Sequence, residues 1–117
     1  MGFNIEWKGK RILSIVGSRE TKELIHSVMP DRIEAGTYLI AGALTNGQLC
    51  IKNINPKIIL TEINILKKIG VEIKIKNSDL IVYRKKNLRS LNIKTAPYPG
   101  FPTDLQAQIM VLMTKAN

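Results

Sequence analysis

The sequence has little of several features that would by themselves define a class of protein. Its 117 residues include one cysteine, Cys50, which excludes an internal disulfide and a metal site built from several cysteines. We therefore expect a reducing, cytoplasmic setting. No apolar run approaches the roughly 20 residues that span a membrane. The first residues also lack a charged segment followed by an apolar one, so we expect neither a membrane anchor nor secretion.

Aromatic and acidic residues are also scarce, which limits the kinds of ligand that the chain is suited to bind. Asp and Glu number 9 against 18 Lys and Arg, and the resulting net charge of +9 suits nucleic acid, anionic lipid or phosphorylated ligands. Aromatics make up 5% of the residues, and only Tyr83 lies beside the basic run at 84–89, so platforms for base stacking are missing. The phosphate-binding patterns GxxxxGKS, GxxxxGKT and GxGxxG are absent. The positive charge leaves a small basic module that binds nucleic acid or polyphosphate as the alternative interpretation. Because the stacking aromatics and the phosphate-binding patterns are missing, we do not expect nucleic acid as the partner.

The chain does contain an alternation of strand-like and helix-like segments. Hydrophobic spacing predicts strands at residues 11–16, 23–29, 48–54, 71–76 and 80–83, a candidate strand at 91–94, and helices at 32–45, 56–69 and 105–115. The order within residues 23–84 is βαβαββ, which predicts an α/β layer with strands on one side and helices on the other. We assign residues 1–22 to a preceding repeat or a linker and 23–84 to the repeat. Residues 85–117 then form a connector, a proline-rich loop and the first helix of a next repeat.

Capping residues indicate where the helices begin and end. Asp31 can accept the free N–H groups of a first helical turn, and Asn55 followed by proline provides a second cap. Asn46-Gly47 and Gly70 are typical of helix ends. Two units of similar construction therefore follow each other along the chain.

Asp104 is the acidic residue that its position singles out. It follows a loop stiffened by three prolines and stands at the start of a predicted helix, where N–H groups and the helix dipole stabilise a carboxylate and hold its orientation. Such a carboxylate can accept a hydrogen bond from a substrate hydroxyl or take its proton. Alternatively, Asp104 or the neighbouring Thr103 only caps the helix.

Three further reactive side chains have a functional and a structural interpretation. Arg32 stands at the corresponding place after Asp31, either as an anion contact or as a solvated charge in the first helical turn. Cys50 falls within a predicted strand, which favours a buried and inert thiol over a nucleophile. His26 is the only histidine, and we expect it on the surface of a strand, since no triad or metal site can be built around it.

Two long segments resemble one enzyme family. Residues 30–44 read PDRIEAGTYLIAGAL and residues 92–108 read NIKTAPYPGFPTDLQAQ, with the motif PGFPTD at 99–104. Both resemble the UDP-N-acetylglucosamine enolpyruvyl transferase family, and LTEINILKKIGVEI between them is similar to that family's strand-helix-glycine segment. The resemblance extends over nearly the whole chain and is weakest over residues 3–22.

This resemblance implies a fold and an activity. Members transfer the enolpyruvyl group of phosphoenolpyruvate to the 3-hydroxyl of UDP-N-acetylglucosamine in peptidoglycan synthesis, without a metal or an organic cofactor. Their inside-out α/β barrel has two domains, each made of βαβαββ repeats. The aspartate of the family's PTD motif, here Asp104, contacts the attacking hydroxyl and is implicated in its deprotonation. The predicted catalytic and substrate-binding residue is therefore Asp104, with Thr103 and Arg32 as further substrate contacts.

The chain also departs from the family's pattern. The family's lysine–asparagine pair, its loop cysteine and its later arginines have no counterpart here, and Cys50 lies in a predicted strand instead of that loop. We interpret the chain as an internal segment of about one quarter of a family member and expect it to be inactive alone. Self-association through an exposed sheet face is compatible with this interpretation.

Overall fold

The computed structural model describes residues 2–84 and 87–117. The strands are β1 (Asn4–Gly9), β2 (Ile12–Val16), β3 (Gln48–Ile51), β4 (Val71–Lys76) and β5 (Asp79–Arg84). The helices are α1 (Arg32–Leu44), α2 (Leu60–Ile69) and α3 (Gln106–Met113), and short 3-10 helices at Pro56–Ile59 and Thr103–Leu105 lead into α2 and α3. Within the described ranges, no helix has the length and apolarity needed to cross a membrane.

A three-stranded sheet covered by helices forms the centre of the molecule. The strand order is β3-β5-β4, and both neighbouring pairs are antiparallel. Leu49 and Ile73 both pair with Val82, so these apolar side chains share the face on which α1 and α2 pack. A β-carbon on Gly42 of α1 would lie 2.6 Å from Val82 Cγ1, which shows how closely this helix approaches the sheet. The predicted α/β layer is therefore confirmed.

The predicted apolar stripe of the second helix forms part of the core. Ile59, Ile63 and Ile69 are fully buried, and Leu66 is 1% exposed. Each such side chain contributes about 1.5–3 kcal/mol relative to an exposed one. The stripe thus fixes α2 against the sheet.

Local sequence signals set most helix boundaries as predicted. The Asp31 carboxylate accepts hydrogen bonds from two first-turn N–H groups of α1, at 2.7 and 3.3 Å, and Asn55 Oδ1 accepts from the N–H of Lys57 at 3.0 Å. Gly70 ends α2 with φ 106°. After α1, it is Asn46 that adopts the left-handed conformation, with φ 58°.

Residues 23–29 do not form the predicted strand. The stretch from 17 to 30 contains neither helix nor strand, and its apolar side chains are exposed, Ile25 completely so. Alternation of apolar residues is not sufficient for a strand, because its backbone N–H and C=O groups also need a neighbouring strand. The predicted βαβαββ order is therefore αβαββ in the part of the chain that the structure describes.

Two other strand predictions also need correction. The strand that begins at Gln48 ends at Ile51 instead of residue 54, because Asn53 takes a left-handed conformation with φ 56° and its N–H bonds the Asp79 carboxylate at 3.2 Å. Residues 91–94 form no strand; isolated bridges instead join Leu88 to Ala116 and Thr95 to Phe101.

An antiparallel hairpin precedes the unpaired stretch. Strand β2 confirms the prediction at 11–16, whereas β1 was not predicted. The register pairs Ile5 with Ile15 and Trp7 with Leu13, which places four apolar side chains on one face. All four are exposed, from 43% for Leu13 to 71% for Trp7.

Candidate functional site

The predicted Asp104 lies where a rigid loop meets a helix start. Thr103 and Asp104 are exposed in the first turn of the 3-10 helix that leads into α3, between the buried Pro102 and Leu105. The residue at the cap position is Pro102, and no side chain in the described part of the molecule caps this start. The alternative prediction, that Asp104 or Thr103 only caps the helix, is therefore wrong, and the Asp104 carboxylate faces outward.

The loop before Asp104 is closed on itself by backbone contacts. The N–H of Ala96 bonds the carbonyl of Phe101 at 2.9 Å, and the N–H of Gly100 bonds the carbonyl of Pro97 at 2.7 Å. Phe101 is 2% exposed and anchors the loop in the core. The hydroxyl of Thr61 on α2 donates to the carbonyl of Pro99, so the loop is also tied to the neighbouring helix.

Arg32 is held on two sides. It is the first residue of α1, and its Nη1 donates to Glu62 Oε1 of α2 at 2.9 Å. Its guanidinium carbon lies 5.0 Å from the centre of the Tyr98 ring, a cation–π distance. Burial raises the pKa of Glu62 above its ordinary value, although a backbone hydrogen bond and the charge of Arg32 act in the opposite direction.

One cavity brings the three predicted site residues together. Arg32, Thr103 and Asp104 all line a depression of about 350 Å³, together with residues 95–98 and Pro102. An adjoining and mostly apolar depression of about 620 Å³ lies along Arg32 and Tyr98, between residues 28–31 and Ile58. The fold thus places a cation, a carboxylate and a hydroxyl on one concave surface.

This arrangement has a definite chemical capacity. The Asp104 carboxylate can accept a hydrogen bond from a ligand hydroxyl or remove its proton. The Arg32 guanidinium has five N–H donors, of which one amino group is engaged by Glu62, and it can bind a phosphate or a carboxylate. The surface is therefore suited to a ligand that has both a hydroxyl and an anionic group.

Tyr98, which lines the cavity, and Glu62, which contacts Arg32 from outside it, were not predicted. Glu62 lies three residues after Ile59 and four before Leu66, so a charged residue within an apolar stripe was a visible signal. Tyr98 is one of the two aromatic residues of the proline-rich loop, and its contact with Arg32 spans too many residues for any local pattern to indicate it.

The other candidates lie apart from this cavity. Cys50 is exposed on β3, so the prediction of a buried thiol is wrong. The helices pack on the sheet face that carries Leu49 and Ile51, and Cys50 points to the other face. His26 is exposed as predicted, but in the stretch without a strand. Among the residues that the structure describes, no group of three His, Cys, Asp or Glu is arranged to hold a metal.

Comparisons with known proteins decide the family. The model of the EPSP synthase (3-phosphoshikimate 1-carboxyvinyltransferase) family matches residues 1–117. The chain belongs to this family. It is 62% identical over its whole length to the UDP-N-acetylglucosamine 1-carboxyvinyltransferase of Pelagibacter ubique, and 47% identical to the enzyme of that name from Bartonella henselae. The resemblance predicted from the sequence is confirmed.

A solved structure agrees with this assignment. The enolpyruvyl transferase NikO from Streptomyces tendae superimposes on 99% of the chain with a TM-score of 0.76 and 24% identity, which shows a common fold. The chain spans 28% of the length of the curated relatives and 28% of that structure. The alternative of a small nucleic-acid- or polyphosphate-binding module finds no support, and its basic run at 84–89 lies partly outside the described residues.

Proposed function

We propose that the chain forms one wall of the active site of an enolpyruvyl transferase that uses phosphoenolpyruvate and UDP-N-acetylglucosamine. The observation that carries this proposal is the cavity in which Asp104, Thr103 and Arg32 meet. Relatives named UDP-N-acetylglucosamine 1-carboxyvinyltransferase support the choice of substrate. As the sequence resemblance implies, the whole enzyme acts in peptidoglycan synthesis in the cytoplasm and needs no metal or organic cofactor.

Asp104 is the proposed base. In the transfer, the 3-oxygen of the sugar forms a bond to the central carbon of the enolpyruvyl group, and the bond from that carbon to the phosphate oxygen breaks. The hydroxyl proton has to leave the sugar oxygen, and the Asp104 carboxylate, which is exposed and lines the cavity, can accept it. Thr103 can add a hydrogen bond to the sugar, and Arg32 can bind an anionic group of either substrate.

A hybrid enzyme tests this proposal. It consists of the Pelagibacter ubique relative, in which the 117 residues that align with this chain are replaced by the present sequence. In this hybrid, Asp104→Asn should lower kcat by roughly 100-fold or more, the range of general base catalysis, because an amide cannot accept the proton. Glu34→Gln, which changes an exposed carboxylate on α1, is the control and should leave kcat unchanged. A wild-type kcat for Asp104→Asn, with an unchanged circular dichroism spectrum, would contradict the proposal.

The 117-residue chain by itself should not turn over these substrates. Transfer also needs donors to the leaving phosphate and a proton source for the enolpyruvyl carbon, and the described cavity provides one cation, Arg32. Phosphate release from the two substrates should therefore equal that of a protein-free blank. Measurable turnover by the chain would contradict this expectation. Self-association of the chain stays a prediction, which the concentration dependence of its sedimentation tests.

A further inference from the structure

A buried carboxylate lies directly behind the proposed active-site cavity. Among the side chains that the structure describes, Glu62 is the only charged one that is buried, with 2% of its surface exposed. It belongs to α2, whose other buried residues are Ile63, Leu66 and Ile69. Its one described side-chain partner is the guanidinium of Arg32, at 2.9 Å.

Packing alone does not account for a carboxylate at this position. Transfer of a carboxylate from water into the core costs several kcal/mol, roughly, whereas an ion pair with a partly exposed partner contributes about 1 kcal/mol or less. Apolar residues of similar volume often replace buried ion pairs without loss of stability. Leucine or methionine at residue 62 would continue the apolar stripe. The presence of a charge at residue 62 therefore needs a reason other than core packing. That reason should involve Arg32, because the Glu62 carboxylate accepts a hydrogen bond from its guanidinium.

The orientation of the Arg32 side chain matters for ligand binding in the cavity. Its side chain is 24% exposed and lines the cavity that also contains Asp104. A free arginine side chain has many rotamers, and ordering them on ligand binding reduces affinity. Here Glu62 holds one amino group and the Tyr98 ring lies 5.0 Å from the guanidinium carbon, so the side chain is ordered before any ligand arrives.

We propose that Glu62 is a positioning residue for Arg32. The buried carboxylate fixes one end of the guanidinium, so that the remaining N–H groups meet an anionic group of the substrate, a phosphate or a carboxylate, in the cavity beside Asp104. Glu62 is not among the residues that line this cavity, so it acts only through Arg32. This inference rests on the proposed function, which brings an anionic substrate to the site.

The first test needs no catalytic activity. In the 117-residue chain labelled with nitrogen-15, the Nε–H signal of Arg32, assigned by its loss in Arg32→Lys, should be sharp and slow to exchange with water. In Glu62→Met, whose side chain fills the site without an acceptor, exchange should become at least about tenfold faster, because the ion pair no longer holds the group. The control Glu34→Gln should leave the signal unchanged. An unchanged Arg32 signal in folded Glu62→Met would overturn the positioning role.

The second test measures the KM values of the hybrid enzyme. Glu62→Met should raise the KM for one of the two substrates about tenfold or more, with a smaller change in kcat, and the affected substrate identifies the anion that Arg32 binds. Glu62→Gln keeps an oxygen acceptor for Arg32, so its KM for that substrate should lie between those of the wild type and Glu62→Met. An ion pair that only stabilises the fold would lower the unfolding temperature and leave both KM values unchanged, and that result would overturn the inference.

Each failure can be recognised separately. A wild-type kcat for Asp104→Asn argues against the proposed function, whereas wild-type KM values for Glu62→Met argue against positioning alone. If Glu62→Met does not fold, the conservative Glu62→Gln decides: unchanged KM values together with unchanged Arg32 exchange would then contradict the inference.

Discussion

Gly36 of α1 lies directly against Leu105, the residue that precedes α3. A β-carbon at residue 36 would be 2.5 Å from Leu105 Cδ1 and 3.3 Å from its Cδ2. Leu105 is fully buried, so it has little space into which to move. The absence of a side chain at residue 36 therefore sets the distance between α1, which begins with Arg32, and the segment that contains Asp104.

This contact predicts that Gly36→Ala destabilises the chain. Overpacking a core costs about 1–3 kcal/mol, whereas alanine in a helix gains about 1 kcal/mol over glycine. We expect a net loss of up to about 2 kcal/mol in the free energy of unfolding, measured by urea denaturation. Gly47→Ala is the matched control, because its nearest neighbour is at an ordinary 3.6 Å. Higher stability of Gly36→Ala would show that the two segments can separate without cost.

The loop that carries Tyr98 depends on a second glycine. A β-carbon on Gly100 would lie 2.6 Å from Ala96 Cβ and 2.9 Å from the carbonyl oxygens of Ala96 and Pro97. Because two of these atoms belong to the backbone, the loop itself has to move. The hydrogen bond from the N–H of Gly100 to the carbonyl of Pro97 is then lost.

Gly100→Ala should therefore rearrange the loop and leave the sheet intact. We expect amide chemical shifts to change over residues 95–104 and to stay nearly constant over β3, β4 and β5. In the hybrid enzyme, kcat/KM should fall at least tenfold, because Asp104 and Tyr98 shift relative to Arg32. Gly17→Ala, with open space around the residue, is the control. Wild-type kinetics of Gly100→Ala would show that the loop geometry is not required.

Features of the fold that depend on neighbours in sequence could be predicted. Asp31 and Asn55 cap helices because their side chains reach N–H groups two or three residues away. The stripe on α2 follows from helical spacing alone. The Asp31 cap places Arg32 at the start of α1, and the prolines before Asp104 indicate a helix start there. Local reasoning leads no further than these two positions.

Features that depend on distant partners could not be predicted. The apolar alternation around Ile25 suggested a strand, but pairing with another strand is not encoded locally. The exposure of Cys50 depends on which sheet face the helices cover. The contacts of Arg32 with Glu62 and Tyr98 join segments 30 and more residues apart, and they became visible only in three dimensions.

The N-terminal hairpin should contribute little to the stability of the core. Trp7 is 71% exposed, whereas Ile63 is fully buried between α2 and the sheet. We expect Trp7→Ala to change the free energy of unfolding of the core by no more than about 0.5 kcal/mol and Ile63→Ala to lower it by about 2–5 kcal/mol. Far-ultraviolet circular dichroism in urea, which follows the helices, measures both. A large loss for Trp7→Ala would mean that the hairpin packs on the core in solution.

The buried Glu62 predicts a specific pH dependence of stability. Burial is the largest influence on this carboxyl group and raises its pKa above the ordinary 4.5, against the opposing effects of a backbone hydrogen bond and Arg32. The folded chain therefore binds this proton more tightly than the unfolded chain does. The resulting contribution to stability is fully present below pH 4.5 and is lost as the pH rises through the folded pKa.

Glu62→Gln removes this titration and isolates its effect. The free energy of unfolding of the wild type minus that of Glu62→Gln should decrease as the pH rises from about 4 to about 7, because the ionised carboxylate is the form that burial penalises. If the Glu62 difference instead increases with pH, the attraction of Arg32 outweighs desolvation, and the pKa of Glu62 is lowered in the folded chain. The sign of this pH dependence therefore shows whether the ionised Glu62, paired with Arg32, destabilises or stabilises the fold relative to the protonated form.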